Sequence, residues 1–397
     1  MTAPSPEDLA EEARRFCAAR LEPRVERRRG GWGEGSDTIV VIEEVDPEEE
    51  QRVLAGARAW RRQLHEHGLD WITGPPDLGG RGLQPAHAEA VRSELARWKT
   101  PEETPLAIGL EIVGPAIDIH GTLEARAEVL GGIHRGDVVA CQLFSEPDAG
   151  SDLSAVRTTG QRVEGGWVVS GQKVWTSGAH LSDYGEALVR TDPDGPRHRN
   201  LTMMLVDMHQ PGVEVRPLRQ MTGGASFNEV FLREAFVPDH LVLGEVEGGW
   251  DVAMTTLLQE RLSVGAGRTS PATHAVTRLW ELVDHLGAGV DPHVRQRLAG
   301  IVARDCISRW FMARIAASAD GPGPEMSIAK LQFTSLLSDI ADLAAEVLGP
   351  SLTADTDAWG TFAWSQFVTG APGMHIAGGT STIQRNILAE RVLGLPR

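Results

Sequence analysis

The sequence predicts an α+β protein in which an N-terminal helical domain, a middle antiparallel β-barrel domain and a C-terminal helical bundle follow one another. Apolar residues recur at helical spacing through the first third of the chain, as in residues 5–20. Short runs of branched and aromatic residues, separated by turn residues, then replace that spacing. Helical spacing returns from Trp250 onward. These changes of pattern place the three predicted domains at residues 1–137, 138–245 and 246–397.

The first predicted domain consists of helices joined by loops. In residues 5–20, one side of the predicted helix carries Leu9, Ala13, Phe16 and Cys17. Helical patterns also cover Pro47–His67 and Ala86–Lys99 and continue with breaks to about Arg135, and loops rich in Gly, Pro or charge are predicted at 28–45 and Pro75–Leu83. We therefore expect the first third of the chain to be mainly helical.

The middle domain is predicted from strand-like runs. Gly166–Trp175 alternates in the manner of strands and contains a Ser-Gly pair, which we interpret as a turn. Three more runs follow at close spacing, namely Leu201–Met208, Gly212–Leu218 and Asn228–Pro238. Several short strands so near one another in sequence favour a small antiparallel barrel or sandwich.

Helical spacing dominates the last third of the chain. Gly321–Pro324 separates two predicted helices, and Leu348-Gly349-Pro350 ends another. No internal repeat or low-complexity tract interrupts this part of the sequence. It is therefore expected to form a helical bundle.

The composition excludes some classes of protein. The formal net charge is −17, whereas a nucleic-acid binder needs a basic surface that attracts phosphates. The three cysteines, Cys17, Cys141 and Cys306, are far apart and lack metal-ligand spacing, which suits a reducing compartment. The sequence shows no signal-peptide pattern and no apolar run long enough to span a membrane. We expect a cytoplasmic protein with no bound metal and no nucleic-acid partner.

A segment at Cys141–Ala155, CQLFSEPDAGSDLSA, lies where the helical pattern gives way to strands. Its Pro, Gly and Ser residues predict a turn with exposed backbone N–H groups and hydroxyls, which suit carbonyl or phosphate oxygens. By itself, such a segment is more typical of an ordinary surface turn. Two further segments accompany it, KVWTSGAH at Lys173–His180 and GGTSTIQRN at Gly378–Asn386.

Together these segments resemble the acyl-CoA dehydrogenase family. FSEPDAGSD is similar to the family's signature, WTS to its flavin-stacking strand, and GTSTIQRN to the loop and helix near the flavin ring. PPDLGGRG, VGPAIDIHGT, MTGGASFNEVF and VPDH also match in order, so the resemblance covers nearly the whole chain. It implies the same succession of helical, β and helical domains. It also implies a flavoprotein oxidoreductase of lipid metabolism that uses FAD, an acyl-CoA substrate and an electron-transferring flavoprotein as acceptor.

The resemblance implies a set of residues around FAD. Trp175 offers a flat face to the isoalloxazine, and Thr176 and Ser177 offer hydrogen-bond donors to a ring that becomes negative on reduction. Thr380 is expected to cap a helix whose positive end faces the flavin. The alternative for Trp175 is a plain core aromatic, because the chain has 11 Trp. The implied FAD-binding residues are Gln142, Phe144, Ser145, Gly150, Ser151, Trp175, Thr176, Ser177, Thr380 and Thr382, and Ser151 is also expected to contact the substrate's pantetheine.

The catalytic base implied by the resemblance is missing from its most common place. The family removes a proton from the carbon beside the thioester carbonyl, and a hydride leaves the adjacent carbon for flavin N5. In many members a glutamate just before Gly-Thr in the C-terminal loop takes the proton, and here that position is Gly378. Other members carry the glutamate on the first helix of the C-terminal domain, before an arginine, as Glu260 precedes Arg261 here. We predict that Glu260 is the base, and a solvated or ion-paired Glu260 is the alternative.

Helical spacing around Glu260 agrees with a ligand-lining role. Thr256, Glu260, Ser263 and Gly267 fall on one face, where the only charge is a single carboxylate. Arg261 is expected to contact the CoA portion of the substrate or to fix Glu260, and a surface ion pair is an equally good interpretation.

The missing side chain at Gly378 leaves space beside the predicted flavin position. A base on the opposite wall of the pocket would suit a branched or ring-bearing acyl group. We therefore expect a bulky acyl-CoA, such as one derived from steroid catabolism or one with a branched chain.

The part of the cofactor site that a family member gives to its neighbour is incomplete in this sequence. Family members usually carry Arg-x-x-Phe-Gly on the second C-terminal helix to clamp the FAD pyrophosphate across the interface, but the sequence after Arg268 lacks it. Glu346 stands where a neutral Gln is common, and its charge would oppose a diphosphate. We expect an α2β2 heterotetramer in which a homologous acyl-CoA dehydrogenase subunit supplies the clamp, as in some bacterial members that act on steroid side chains.

Two other functions are open at this point. The chain could be a catalytically silent structural subunit of a heteromeric acyl-CoA dehydrogenase, although the intact signature and Glu260 argue against that. It could also be an oxidase or monooxygenase built on the same flavin fold. Re-oxidation by oxygen, as opposed to an electron-transferring flavoprotein, would separate that activity from a dehydrogenase.

Overall fold

A computed structural model describes residues 4–24, 39, 41, 46–266, 271–317, 323–353 and 361–396. Most of the predicted loop at 28–45 lies outside these residues. Gly267, Arg268 and the first half of the predicted break at Gly321–Pro324 lie outside them too.

Helices, strands and helices follow one another in the predicted order, which confirms the α+β class. The helices are α1 Pro6–Ala18, α2 Pro47–Glu66, α3 Pro85–Leu95, α4 Gly114–His120, α5 Leu123–Ala125, α6 Gly131–Arg135, α7 Gly249–Ala266, α8 Pro271–His285, α9 Pro292–Ala316, α10 Met326–Leu348, α11 Thr361–Gly370 and α12 Ser381–Ile387. The described residues form two compact units. The first unit contains the described residues up to Thr256, except residues 39, 41 and 219–224. The second unit contains residues 39, 41 and 219–224 together with the described residues from Leu257 onward. The predicted boundaries at 137/138 and 245/246 stay a prediction.

The N-terminal helices of the first unit form because a capped helix presents an apolar side to its neighbours. The Ser5 hydroxyl accepts a hydrogen bond from the Asp8 N–H at 3.2 Å, and the Asp8 carboxylate accepts one from the Ser5 N–H at 2.9 Å. The predicted apolar side of α1 is buried against α2 and α3 residues that include Trp60 and Val91. The helix predicted at 5–20 is therefore confirmed.

The middle region forms one eight-stranded sheet in the first unit. Its strands are β1 Ala140–Leu143, β2 Thr159–Val163, β3 Gly166–Ser177, β4 Tyr184–Arg190, β5 Leu201–Asp207, β6 Val213–Leu218, β7 Phe227–Pro238 and β8 Val242–Leu243. The order is β6-β7-β3-β2-β4-β5-β8, with β1 beside β4. Pairing is antiparallel except between β1 and β4 and at one β2–β4 residue pair, which are parallel. The prediction of antiparallel strands is thus right for most of the sheet.

The predicted Ser-Gly turn inside β3 is wrong. Strand β3 continues through Ser170 and Gly171, with an irregularity in its pairing to β7 between Val169 and Gly171. A Cβ on Gly171 would lie 2.3 Å from the hydroxyl oxygen of Thr158. The glycine is therefore required by a close approach within the sheet rather than by a turn.

The second unit is a helical core. Helices α8 to α11 contribute buried apolar residues, among them Leu279, Leu337, Ile340, Trp364 and Phe367. Helix α10 ends at Leu348, as predicted, and Gly349 follows with a φ of +52°. The long helix α10 positions Lys330 within this unit.

Candidate active site

The signature segment that follows β1 is fixed by a buried ion pair. The Lys173 ammonium is fully buried and donates to the Glu146 carboxylate at 2.8 Å and to the carbonyl oxygens of Phe144 and Leu188 at 3.1 and 2.7 Å. Glu146 also accepts a hydrogen bond from the backbone N–H of Thr158 at 2.9 Å. Burial lowers the pKa of Lys173 to about 8, partly offset by the charge of Glu146. The paired, hydrogen-bonded charges hold both ends of the turn.

This anchoring leaves the middle of the segment accessible. Gly150 and Ser151 are exposed, and Gln142 and Ser145 are half-buried. The segment also joins the sheet next to the predicted flavin-stacking strand, because the Val174 N–H donates to the Ser145 carbonyl at 2.9 Å. Phe144 is buried, and its carbonyl oxygen is taken by Lys173. The first unit therefore brings the signature and the end of β3 together, as their predicted roles require.

Trp175 is not a core aromatic. The residue is 59% exposed, and its ring meets Phe227 edge-on with a centroid distance of 6.0 Å. Its φ is +61°, a left-handed conformation that is rare for a bulky residue, at a break in the β3–β7 register between Lys173 and Thr176. Strained backbone of this kind persists where surrounding structure enforces it, and it clusters at functional sites.

Thr176, the next residue, has a hydroxyl with unused hydrogen-bonding capacity. The side chain is buried, and the hydroxyl has no hydrogen-bond partner among the described residues. Its carbonyl accepts a hydrogen bond from the Asn228 side-chain amide at 3.2 Å, and that amide also lies 3.1 Å from His180 Nδ1. Asn228 therefore fixes the backbone at this point, a role that its strand position alone did not suggest.

In the second unit, the loop before α12 is held by its own helix. The Thr380 hydroxyl accepts a hydrogen bond from the Ile383 N–H at 3.3 Å, which confirms Thr380 as the N-cap. The buried Gln384 amide donates to the Gly378 carbonyl at 2.9 Å. Gly378 and Gly379 have φ values of +63° and +86°, which favour glycine at both positions. Thr382 is exposed.

Glu260 lies against the same loop. A Cβ built on Gly378 would be 3.3 Å from the Glu260 Oε1 atom. The carboxylate on α7 thus occupies the space beside the backbone position where many family members carry their glutamate. Glu260 is half-buried rather than fully exposed. The two positions that the sequence links as alternatives for the base are neighbours in the second unit.

Arg261 is half-buried beside Glu260. Its Nε–H donates to the Leu257 carbonyl at 2.9 Å. Burial and the nearby charge of Arg391 lower the pKa of Arg261, and the charge of Glu260 partly offsets this. Whether Arg261 contacts the substrate stays a prediction.

The predicted ligand-lining face of α7 is wrong at Thr256. This residue is fully buried in the first unit, and its hydroxyl donates to the Glu186 carboxyl at 2.8 Å. Ser263 is half-buried and donates to the Glu260 carbonyl at 3.1 Å. Helical spacing identifies residues on one face, but it does not show which of them a neighbouring strand covers.

The charge of Glu346 is compensated within the second unit. Its carboxylate forms an ion pair with Arg297 of α9, and His293 Nε2 lies 3.9 Å away. The expected repulsion of a diphosphate by this residue is therefore weaker than the sequence suggests. The missing Arg-x-x-Phe-Gly segment is the stronger argument for a partner.

The described residues contain neither a metal-binding cluster nor a membrane-spanning helix. No group of three or more His, Cys, Asp or Glu in this part of the chain is placed to hold a metal ion. None of its helices is both long and apolar enough to cross a membrane.

The sequence matches protein-family models and is similar to known proteins over most of its length. Family models for the N-terminal, middle and C-terminal domains of acyl-CoA dehydrogenases match residues 4–137, 141–234 and 247–393. The acyl-CoA dehydrogenase IpdE1 of Mycobacterium tuberculosis is 37% identical over 88% of this chain and 91% of that protein. The acyl-CoA dehydrogenase FadE34 of the same organism is 41% identical over 80% of this chain, but this match spans only 44% of FadE34.

A solved structure shares the fold. The ChsE4–ChsE5 complex of Mycobacterium tuberculosis contains a chain that is 26% identical, with a TM-score of 0.71 over 100% of this chain and 99% of that one. The likeness therefore extends over the full sequence.

Proposed function

Because the chain belongs to the acyl-CoA dehydrogenase family of oxidoreductases, we propose that it catalyses α,β-dehydrogenation of an acyl-CoA thioester, with FAD as cofactor and Glu260 as the base. The observation that carries the proposal is the 3.3 Å distance between Glu260 Oε1 and the Cβ position of Gly378. The family's usual glutamate position is empty here, and another carboxylate lies beside it. A positioned general base contributes about 10²–10⁴-fold to a rate.

The residues of the first unit fit a flavin. The exposed Trp175 side chain provides a flat apolar face, and the Thr176 hydroxyl is buried with no hydrogen-bond partner among the described residues. Gly150 and Ser151 present backbone and hydroxyl groups at the exposed part of the signature turn. FAD, when bound, accepts the hydride that leaves the β-carbon of the substrate. The other predicted FAD residues, Thr380 and Thr382 among them, belong to the same proposal.

Glu260 removes the proton from the α-carbon. Its half-buried carboxylate gains basicity when the substrate excludes water, because desolvation disfavours the charged form. Gln384 holds the Gly378 carbonyl, so the loop backbone beside the carboxylate is fixed.

The expected base on the wall opposite Gly378 is not found, because Glu260 and Lys330 border the Cβ position of this glycine. A bulky acyl group, such as a steroid-derived or branched one, is proposed only because the usual glutamate position carries no side chain of its own. Rates on ring-bearing and straight-chain acyl-CoA thioesters compare the two classes directly. A clear preference for straight chains would contradict this part of the proposal.

We also propose that the chain functions with a homologous subunit and passes electrons to an electron-transferring flavoprotein. The absence of the Arg-x-x-Phe-Gly segment supports the first point. The similar ChsE4–ChsE5 protein is itself a complex of two different chains. An α2β2 assembly is the simplest arrangement in which a partner supplies the missing clamp.

Glu260→Gln tests the role of the base. In the flavin-loaded protein without oxygen, acyl-CoA should bleach the wild-type flavin, and the variant should be slower by about 10²–10⁴-fold. The FAD content should not change. Glu164→Gln, at an exposed carboxylate in the β2–β3 turn, is the matched control. Bleaching of Glu260→Gln at the wild-type rate would overturn the proposal, and in an active complex it would identify this chain as a silent subunit.

A further inference from the structure

Lysine is rare in this protein, and its positions are informative. The sequence has only three lysines, Lys99, Lys173 and Lys330, among 38 lysine and arginine residues. Lys99 is exposed and pairs with Glu22. Lys173 is the buried anchor of the signature segment. Lys330 is half-buried on α10, and it has no assigned role so far.

Lys330 and Glu260 both lie close to the Cβ position of Gly378. A Cβ at Gly378 would lie 3.7 Å from Lys330 Cε and 3.3 Å from Glu260 Oε1. The Lys330 ammonium donates a hydrogen bond to the carbonyl oxygen of Met374, in the turn that precedes Gly378. The cation is therefore tied to the loop that forms the wall beside the carboxylate.

The electrostatic surroundings agree with this geometry. Burial lowers the pKa of Lys330 to about 8, and the negative charge of Glu260 partly offsets that effect. Among the described residues, Arg261 follows Glu260 on α7, and burial and the charge of Arg391 lower the pKa of Arg261. His375 lies between the hydroxyls of Ser338 and Ser381, at 2.8 and 3.1 Å.

The choice of lysine over arginine has a physical reason. Arginine carries the positive charge at nearly every other site in this chain. A guanidinium is a wide planar fork, whereas an ammonium is a compact point charge that can be placed on a single carbonyl oxygen, as Lys330 is on Met374. An ammonium can also lose its proton when it is buried.

We propose that Lys330 is a positioning residue for Glu260: its ammonium, fixed on the Met374 carbonyl, keeps the carboxylate ionised and held beside Gly378. This inference rests on the proposed function, since the carboxylate matters for catalysis only if Glu260 is the base. Lys330 thereby sets the lower end of the pH range in which proton removal is fast.

The interaction itself can be measured without catalysis. In the full chain labelled with carbon-13 at lysine Cε, the three lysines give three signals, and Lys330→Arg identifies the one that disappears. Glu260→Gln should lower the pKa of Lys330 by about one unit, because it removes the negative charge that favours the protonated lysine. The Lys173 signal serves as internal control. An unchanged Lys330 titration would overturn the inference, whatever the role of Glu260.

The consequence for the reaction is a shift in its pH profile. Lys330→Met should move the acid limb of substrate-driven bleaching to higher pH by about one unit, because the carboxylate loses a stabilising cation. Lys330→Arg should bring the acid limb most of the way back to its wild-type position, because the positive charge returns. The KM for the acyl-CoA should change little in either variant. A structural role alone would lower rates equally at all pH values and would contradict the inference. If Glu260→Gln bleaches normally but still shifts the Lys330 titration, the proposed function fails and the ion interaction stands.

Discussion

Gly378 has a backbone conformation that favours glycine, and two charged side chains lie next to it. Its φ of +63° disfavours any other residue, and the space next to it is filled by Glu260 and Lys330. A glutamate at this position would be strained, and its Cβ would be only 3.3 Å from the Glu260 carboxylate. The backbone conformation and the second carboxylate are therefore consistent with a base that lies on α7 in this chain.

Gly378→Ala should separate backbone strain from the effect on the site, with Gly287→Ala as its control. Both glycines have a φ of +63°, but a Cβ on Gly287 would meet nothing within 4 Å. Both variants should lose about 1–2 kcal/mol of unfolding free energy in urea titrations. Only Gly378→Ala should slow flavin bleaching, because its methyl group crowds Glu260. Equal bleaching rates in the two variants would show that the space beside Gly378 does not affect the reaction.

Glu186 makes stability depend on pH in the first unit. Burial raises the pKa of this carboxyl to about 8, despite a hydrogen bond from Thr256 that lowers it. The folded state therefore binds a proton that the unfolded state releases between about pH 4.5 and 8, so this contribution to stability is complete below that window and is lost as pH rises through it.

Glu186→Gln, which stays neutral and keeps the shape, removes this dependence. The stability of the wild type relative to the variant should fall by roughly 1.4 kcal/mol per pH unit within the window. Urea unfolding at several pH values measures it, with Glu164→Gln as a control that should follow the wild type. A constant difference between wild type and Glu186→Gln would show that Glu186 is ionised in the folded state.

The role of an individual residue could be predicted where it depends on neighbours in the sequence. Thr380 was predicted as an N-cap from the residues that follow it, and it is one. Lys330 and Gln384 were missed because their roles depend on contacts with a loop 44 and 6 residues away, respectively. The scarcity of lysine was the one signal in the sequence that could have drawn attention to Lys330.

At the scale of elements, the ion pair between β3 and the signature segment joins two parts of the predicted flavin site. Lys173→Met should cost about 3–5 kcal/mol of unfolding free energy, because it leaves the buried charge of Glu146 without its cation. Lys99→Met, at an exposed pair, should change stability little. Urea unfolding compares the two, and equal effects would show that the buried pair does not stabilise the segment.

Strand β3 shows which secondary-structure elements a sequence pattern cannot predict. Helix α1 was predicted well because its apolar residues recur at helical spacing along one side, and that side is the one buried against its neighbours. The Ser-Gly pair in β3 was misinterpreted because glycine marks both turns and close approaches, and only the packing of Thr158 distinguishes them. The burial of Thr256 likewise depends on a strand that is distant in sequence.

For the whole molecule, flavin content tests the need for a partner. The chain purified alone should hold much less than one FAD per chain, because its sequence lacks the Arg-x-x-Phe-Gly segment that clamps the FAD pyrophosphate in family members. Co-expression with a homologous subunit, for example the product of a neighbouring gene, should raise the flavin content and yield a complex of defined mass. Full flavination of the chain alone would contradict the heteromeric proposal.

The order of helices, strands and helices was predictable because the period of apolar residues changes twice along the chain. The family could be identified because several short segments occur in order over nearly all of the sequence. The detailed surroundings of Glu260 could not be predicted, since they depend on α7, α10 and the loop before α12 meeting in space.

Loss of deuterium from the α-carbon tests the central claim, that Glu260 removes this proton, most directly. An acyl-CoA labelled with deuterium at that carbon is incubated with the flavin-loaded protein in ordinary water without oxygen, and mass spectrometry follows the label. The wild type should release the label, and Glu260→Gln should release it about 10²–10⁴-fold more slowly with unchanged substrate affinity. Release at the wild-type rate by Glu260→Gln would contradict the account.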